Sequence, residues 1–175
     1  MKAVLDVFVI VNKHIRTFTF FQTAFRTRRA IYISNDHKGA IMVEISNEIV
    51  EMVNKPGRVG VICTVDPDGK PNAAYLGSPR FRNDNTFSLG IMGGRTLENL
   101  KSNPQAVFFC VEDSPVAFTT PGCRIYLEVK EIQTDGPLLD QIKAEIEKHV
   151  GPDAAKMMAA AVAFNVTEIR KLVDM

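Results

Sequence analysis

Short apolar runs and strictly alternating segments recur along the chain after residue 42. The runs at 59–65 (VGVICTV), 86–92 (TFSLGIM) and 105–112 (QAVFFCVE) predict buried strands. The segment 124–134 (RIYLEVKEIQT) alternates apolar and polar residues, which is typical of a half-buried strand. A return strand from about 72 to 81 and a last strand near 162 to 167 bring the total to about six. We therefore expect an antiparallel sheet.

Helices are predicted between these strands. Apolar residues recur at helical spacing ahead of the first strand, at Ile45, Ile49, Met52 and Val53. Further helices are expected after Gly93-Gly94, from Pro137, and from Pro152, where alanine is frequent. This order of elements predicts a mainly β fold of the α+β type, a barrel of about six antiparallel strands with a few short helices.

Two details of the strand pattern concern connections. The sequence Asp66-Pro67-Asp68-Gly69 suits a tight hairpin turn. Pro79 lies inside the predicted strand at 72–81 and has no backbone N–H to donate, so a bulge or an unpaired edge is expected there.

Residues 1–41 differ in charge from the remainder of the chain. They hold seven Lys or Arg against two Asp, whereas residues 42–175 hold fourteen basic against eighteen acidic residues, a net charge of −4. The apolar stretch VLDVFVIV is too short to span a membrane, and no signal-peptide cleavage site follows it. Codons for residues 38–42 can contain a ribosome-binding sequence before a start codon at Met42. We expect 1–41 to be a non-native or disordered extension, with a genuine extension or a targeting segment as alternatives, and 42–175 to be the functional domain.

Composition excludes several classes of function. The formal net charge is +1 and no basic run with interleaved aromatics occurs, so neither nucleic acid nor a membrane is an expected partner. Three cysteines without CxxC spacing indicate small buried apolar residues in a reducing compartment, and hence a cytoplasmic protein. Three histidines without ligand spacing predict no metal site.

The most informative segment for chemistry is 92–100. Gly93 and Gly94 precede a helix start, where free amides and a partial positive charge can hold a phosphate. Arg95 adds a charge-assisted fork and Thr96 a hydroxyl. The spacing matches neither GxGxxG nor GxxxxGK[ST]. The alternative is an ordinary turn, an N-cap and a surface charge.

A second candidate segment is Gly77-Ser78-Pro79, which interrupts an apolar strand. It lets a flat ring lie close to the backbone, with amide and hydroxyl groups facing the polar edge of the ring. The alternative is an edge-strand bulge.

The stretch from VGVICTVDPDGKPNAAYLGSPRF to GGRTLENLKSNPQAVFFC resembles the pyridoxamine-phosphate-oxidase-like FMN-binding split barrels, and within them the short FMN-binding proteins. The pattern covers residues 44–135, including Thr134-Asp135-Gly136-Pro137 at its end, and the order of its elements is specific. The resemblance therefore implies a six-stranded antiparallel split β-barrel.

It also implies a homodimer with two FMN molecules at the subunit interface. Arg95 and Thr96 would hold the phosphate, and several members have lysine where Arg95 stands. The loop with Gly122 is a weaker candidate to close the site from the partner subunit. The residues expected to border the flavin are Asn72, Ala73, Ala74, Gly77, Ser78, Pro79, Gly90, Met92 and Gly93.

The sequence departs from true pyridoxamine phosphate oxidases. Their arginine-bearing strand motif is replaced by NAAYLGSP, and their Trp-containing C-terminal pattern is absent because the chain has no Trp. We therefore expect an FMN-dependent oxidoreductase that exchanges hydride or electrons with a small-molecule donor or acceptor, and not a vitamin B6 oxidase. The alternatives are a non-catalytic flavin carrier or electron-transfer protein, and a split barrel that binds haem or a deazaflavin.

Overall fold

A computed structural model describes residues 30–33, 42–82, 86–112 and 117–173. The strands are β1 (Ala30–Ile33), β2 (Met42–Ile45), β3 (Val59–Val65), β4 (Pro71–Tyr75), β5 (Arg80–Phe81), β6 (Phe87–Ile91), β7 (Gln105–Val111), β8 (Gly122–Gln133) and β9 (Ala160–Lys171). The helices are α1 (Asn47–Asn54), α2 (Arg95–Ser102), α3 (Pro137–His149) and α4 (Pro152–Lys156).

Seven strands form one antiparallel sheet in the order β4-β3-β7-β8-β9-β6-β5. Although β4 and β5 follow each other in sequence, they lie at opposite edges of this sheet, so the sheet must curl for the short segment 76–79 to join them. Ser78 closes the seam, because its hydroxyl donates to the Gly90 carbonyl (2.9 Å) and accepts from the Gly90 amide (3.1 Å). The predicted split barrel is thereby confirmed.

The strand count differs from six because the return strand predicted at 72–81 is broken in two. Leu76 still donates to the Gly60 carbonyl at 2.9 Å, but the chain then leaves that edge and reaches the other one at β5. Pro79 lies inside the break, where its missing N–H removes no ladder hydrogen bond.

The first described strands form a separate pair. β1 and β2 are antiparallel, with Ala30 opposite Ile45. Ile45 therefore ends a strand instead of opening the predicted helix, and α1 begins after Ser46, whose hydroxyl accepts from the Ile49 amide at 3.4 Å. β1 falls within the predicted extension 1–41. The rest of that extension lies outside the described residues, and the proposed division at 42 stays a prediction.

The core lies inside the curled sheet. Alternate residues of β3, β7 and β8 face inward and are buried, as the alternating sequence pattern predicts. Phe87 packs at its centre, with ring centroids 5.2 Å from Phe108 and 6.1 Å from Phe164. Outside the barrel, α3 buries Leu139 and Ile142 against Ala161 of β9. Pro137 and Pro152 open α3 and α4 as predicted.

Candidate functional site

The start of α2 has the backbone that the glycine pair predicts. Gly93 and Gly94 have φ of 104° and 77°, a region that favours glycine. Gly94 is the N-cap residue, and no side chain caps the helix. The amides of the first turn are therefore available to an incoming anion.

Arg95 and Thr96 occupy different environments at this helix start. Arg95 is exposed and makes no hydrogen bond or ion pair with any residue in the described part of the chain. Thr96 is 8% exposed, and its Oγ1 accepts from Asn72 Nδ2 at 3.1 Å. Because a hydroxyl both donates and accepts, this contact leaves the Thr96 proton free for an acceptor.

Asn72 belongs to a small buried polar network that ties α2 to the sheet. Its amide also lies 3.4 Å from Thr64 Oγ1 of β3, and Asn99 Nδ2 of α2 donates to the same oxygen at 3.1 Å. Thr64 and Asn99 are both buried. The network fixes the helix start against β3 and β4. Thr64 and Asn99 were not predicted, because each shows in the sequence only as a polar residue on an otherwise apolar face.

A cleft of about 280 Å³ opens beside the 75–80 segment. Four predicted site residues line one wall, namely Gly77, Ser78, Gly90 and Met92. The other wall comes from α3, α4 and the residues that follow each helix, namely Ile142, Ile146, His149, Val150, Ala154 and Met158. That wall was not predicted, since its residues lie fifty or more positions after the others and show only a helical apolar pattern. Met92 joins the cleft to the glycines before α2.

The remaining predicted residues lie around these two features. In β4, Asn72 and Ala74 are half-buried and alternate with Ala73, which is exposed on the outer face of the sheet. Pro79 is buried, and its carbonyl accepts from Arg58 Nη2. Gly122 lies in β8 opposite Val111 and does not line the cleft. Its predicted contact would come from a partner subunit.

Arg80 and Glu145 form the charged rim of the cleft, and Arg82 contacts the same carboxylate from outside the lining. Arg82 Nη1 donates to Glu145 Oε1, while Arg80 Nε lies 3.9 Å from Glu145 Oε2. Two guanidinium groups therefore share one carboxylate. Arg58, which does not line the cleft, is 6% exposed, and burial lowers its pKa from the usual value.

Within the described ranges, no three His, Cys, Asp or Glu side chains group so that they could hold a metal ion. Across the same ranges, no helix is long and apolar enough to cross a membrane.

The antiparallel sheet curls until its two edges meet at Ser78 and Gly90, and α2 begins nearby after two glycines. This architecture defines the split β-barrel class of protein. The family model described as pyridoxamine 5'-phosphate oxidase matches residues 45–172, so the chain belongs to that family. No curated protein matches the chain significantly.

Solved structures agree on the fold. An FMN-binding protein from Syntrophomonas wolfei is 20% identical, with a TM-score of 0.60 over 73% of this chain and 88% of that one. HupZ from Group A Streptococcus is 25% identical, with a TM-score of 0.60 over 73% of this chain and 94% of its own. HutZ, the haem storage protein from Vibrio cholerae, is 20% identical, with a TM-score of 0.55 over 71% of this chain and 92% of its own.

Proposed function

We propose that this protein binds FMN and works as a cytoplasmic, homodimeric flavin oxidoreductase. The observation that carries the proposal is the start of α2, where uncapped amides, the unpaired guanidinium of Arg95 and the free proton of the Thr96 hydroxyl lie within two residues of one another. Each of these groups can donate a hydrogen bond, and none of them donates to a carboxylate within the described residues. A phosphomonoester dianion is the ligand chemistry that such a set of donors fits best.

The cleft supplies an apolar place for the flavin ring. Gly77 and Gly90 keep its wall close to the backbone, and Met92 leads from the cleft to the phosphate-binding amides. Its volume of about 280 Å³ is at the lower end of small-molecule pockets, so part of a flavin would extend beyond it. A second subunit would cover that part.

The outer face of the sheet supports the homodimer. Val59 and Tyr75 are 39% and 69% exposed, and Val61, between Tyr75 of β4 and Phe109 of β7, is only half-buried. Adjacent apolar side chains on an outer face favour burial against a matching surface. A second copy of the chain would bury them and bring Gly122 toward the flavin of its partner.

FMN, when bound, supplies the hydride or electron transfer itself. The residues of this chain then bind the phosphate, orient the ring and exclude water. A small-molecule electron donor or acceptor would approach the exposed side of the cleft, where Arg80 and Glu145 form the rim. Oxidation of vitamin B6 is not proposed, because the chain has no Trp and carries NAAYLGSP in place of the arginine-bearing strand motif. A flavin carrier without a substrate of its own is the alternative within the same binding mode.

Haem is a second candidate ligand, because His149, Met92 and Met158 line the same cleft and are residue types that ligate haem iron. The absorption spectrum of the purified protein, together with the mass of the cofactor released on denaturation, separates the candidates. Flavin bands and the mass of FMN are expected. A Soret band that is lost in His149→Ala would favour haem, and a deazaflavin mass would identify that cofactor. A colourless protein that takes up no added FMN would contradict the proposal.

A further inference from the structure

Cys110 and Cys123, thirteen positions apart in sequence, lie directly opposite each other in β7 and β8. Both face into the barrel, where Cys110 is 0% and Cys123 3% exposed. Their side chains therefore project from the same face of the sheet toward each other. The sequence gives no CxxC spacing, so only the pairing register brings these thiols together.

The backbone spacing suits a disulfide. Directly opposed residues of antiparallel strands have Cα atoms about 4.5–5.5 Å apart, and disulfides span about 4.4–6.8 Å. The Glu112 amide donates to the Pro121 carbonyl at 3.0 Å, so Glu112 and Pro121 form a hydrogen-bonded pair. This pair lies two positions along the ladder from Cys110 and Cys123. Hydrogen-bonded and other pairs alternate, so Cys110 and Cys123 also form a hydrogen-bonded pair, the wider class. The Cα separation of about 5.5 Å that is typical of this class lies at the most frequent spacing in disulfides.

A buried cation lies beside the pair. Arg58 Nε donates to the Val53 carbonyl and Nη2 to the Pro79 carbonyl, which hold the guanidinium against the barrel. A Cβ on Gly60, the residue opposite Cys110 in β3, would lie 2.7 Å from Arg58 Nη1. The absence of a side chain at Gly60 therefore admits the guanidinium to the strand position next to Cys110.

The electrostatics distinguish the two thiols. A hydrogen bond from Cys123 lowers the pKa of Cys110; desolvation opposes this effect, and the charge of Arg58 adds to it. The same hydrogen bond, together with burial, raises the pKa of Cys123. Of the two thiols, Cys110 is therefore the one that loses its proton more readily.

We propose that Cys110 and Cys123 form a dithiol that is oxidised reversibly to a disulfide by hydroperoxides. The Cys110 thiolate attacks one oxygen of the hydroperoxide, so that an S–O bond forms and the O–O bond breaks. Cys110 becomes a sulfenic acid, and the other oxygen leaves after protonation, as water from hydrogen peroxide or as an alcohol from an organic hydroperoxide. The Cys123 sulfur then attacks the Cys110 sulfur, so that the S–S bond forms, the S–O bond breaks and the sulfenic oxygen leaves as water with the proton of Cys123. Two thiols are oxidised and one peroxide is reduced, so atoms and electrons balance. Cys63 is exposed on the outer face of β3 and takes no part.

The sequence makes the test direct. Both cysteines fall in the tryptic peptide 102–124, and cleavage after Glu112 separates them. We expect hydrogen peroxide, added to the reduced full-length protein, to lower the mass of this peptide by two hydrogens and to keep its two Glu112 fragments joined until dithiothreitol is added. Free thiols should fall from three to one. The link should persist in Cys63→Ser and be lost in Cys110→Ser and in Cys123→Ser.

The proposal is overturned if the two fragments separate without reductant after oxidation, whether the thiols are still free or have become sulfonic acids. A link that involves Cys63 would also overturn it. Since the readout is a covalent bond in the wild-type chain, it does not depend on how well the Ser variants fold. It is also independent of flavin binding.

Discussion

Asn72 Nδ2 of β4 lies 3.1 Å from Thr96 Oγ1 of α2, so a side-chain hydrogen bond joins the two chain segments that the proposed cofactor would touch. The contact uses an acceptor site of the Thr96 hydroxyl and leaves its proton free. It thereby couples the position of the helix start to the edge strand of the barrel.

This contact should be measurable as a coupling energy. Asn72→Ala leaves the buried hydroxyls of Thr64 and Thr96 without this donor, and we expect it to lower the free energy of unfolding by about 1–3 kcal/mol. Thr96→Val removes the acceptor and keeps the shape of the side chain. Denaturant unfolding of the single and double variants should give a coupling of about 0.5–1.5 kcal/mol. Strictly additive effects would show that the two side chains do not interact in solution.

Gly90 sets how closely α3 can approach the cleft wall. A Cβ at this position would lie 2.7 Å from Ile142 Cγ2 and 3.1 Å from Met158 Sδ. We expect Gly90→Ala to destabilise the protein by about 1–3 kcal/mol, because α3 has to move, and to weaken flavin binding. Gly77→Ala is the matched control, since a Cβ there meets nothing within 4 Å. Thermal unfolding compares the two, and equal melting temperatures would argue against a tight cleft wall.

A charged residue on the outer face of the sheet should weaken the proposed dimer. Val61 lies between Tyr75 and Phe109 on this face, so Val61→Glu would bury an unpaired carboxylate if two copies associate there. We expect the dimer dissociation constant, measured by light scattering after size exclusion, to rise by roughly tenfold or more. Lys148→Glu, at an exposed position of α3, should leave it unchanged. A Val61→Glu dimer as stable as the wild type would place the interface elsewhere.

Much of the fold was predictable because inward-facing and outward-facing residues alternate. β3, β6, β7 and β8 are found within two residues of their predicted ends, and Pro137 and Pro152 open helices as expected. β9 was predicted too short, since its second half carries charged residues at the sheet surface. β1 and β2 were not predicted, because Ile45 also fits the helical spacing of α1.

The missed features depend on closure of the sheet. No local pattern indicates that the chain leaves one edge after Leu76 and joins the other at Arg80, or that α3 then faces Gly90. The pairing of Cys110 with Cys123 likewise follows from register alone. By contrast, the glycine pair before α2 could be predicted, because an uncapped helix start needs backbone angles that glycine adopts readily.

Phosphate recognition by Arg95 is central to the proposed binding of FMN. The most direct test is to titrate FMN and riboflavin, which lacks the phosphate, into the wild type and into Arg95→Ala, and to follow the quenching of flavin fluorescence. We expect Arg95→Ala to weaken FMN binding by about 1.5–3 kcal/mol, roughly 10- to 150-fold in Kd, and to leave riboflavin binding unchanged. Arg95→Lys should retain part of the preference for FMN, and Lys101→Ala, at the other end of α2, all of it. Equal affinity of the wild type for FMN and riboflavin, or an FMN affinity that Arg95→Ala does not change, would contradict the account.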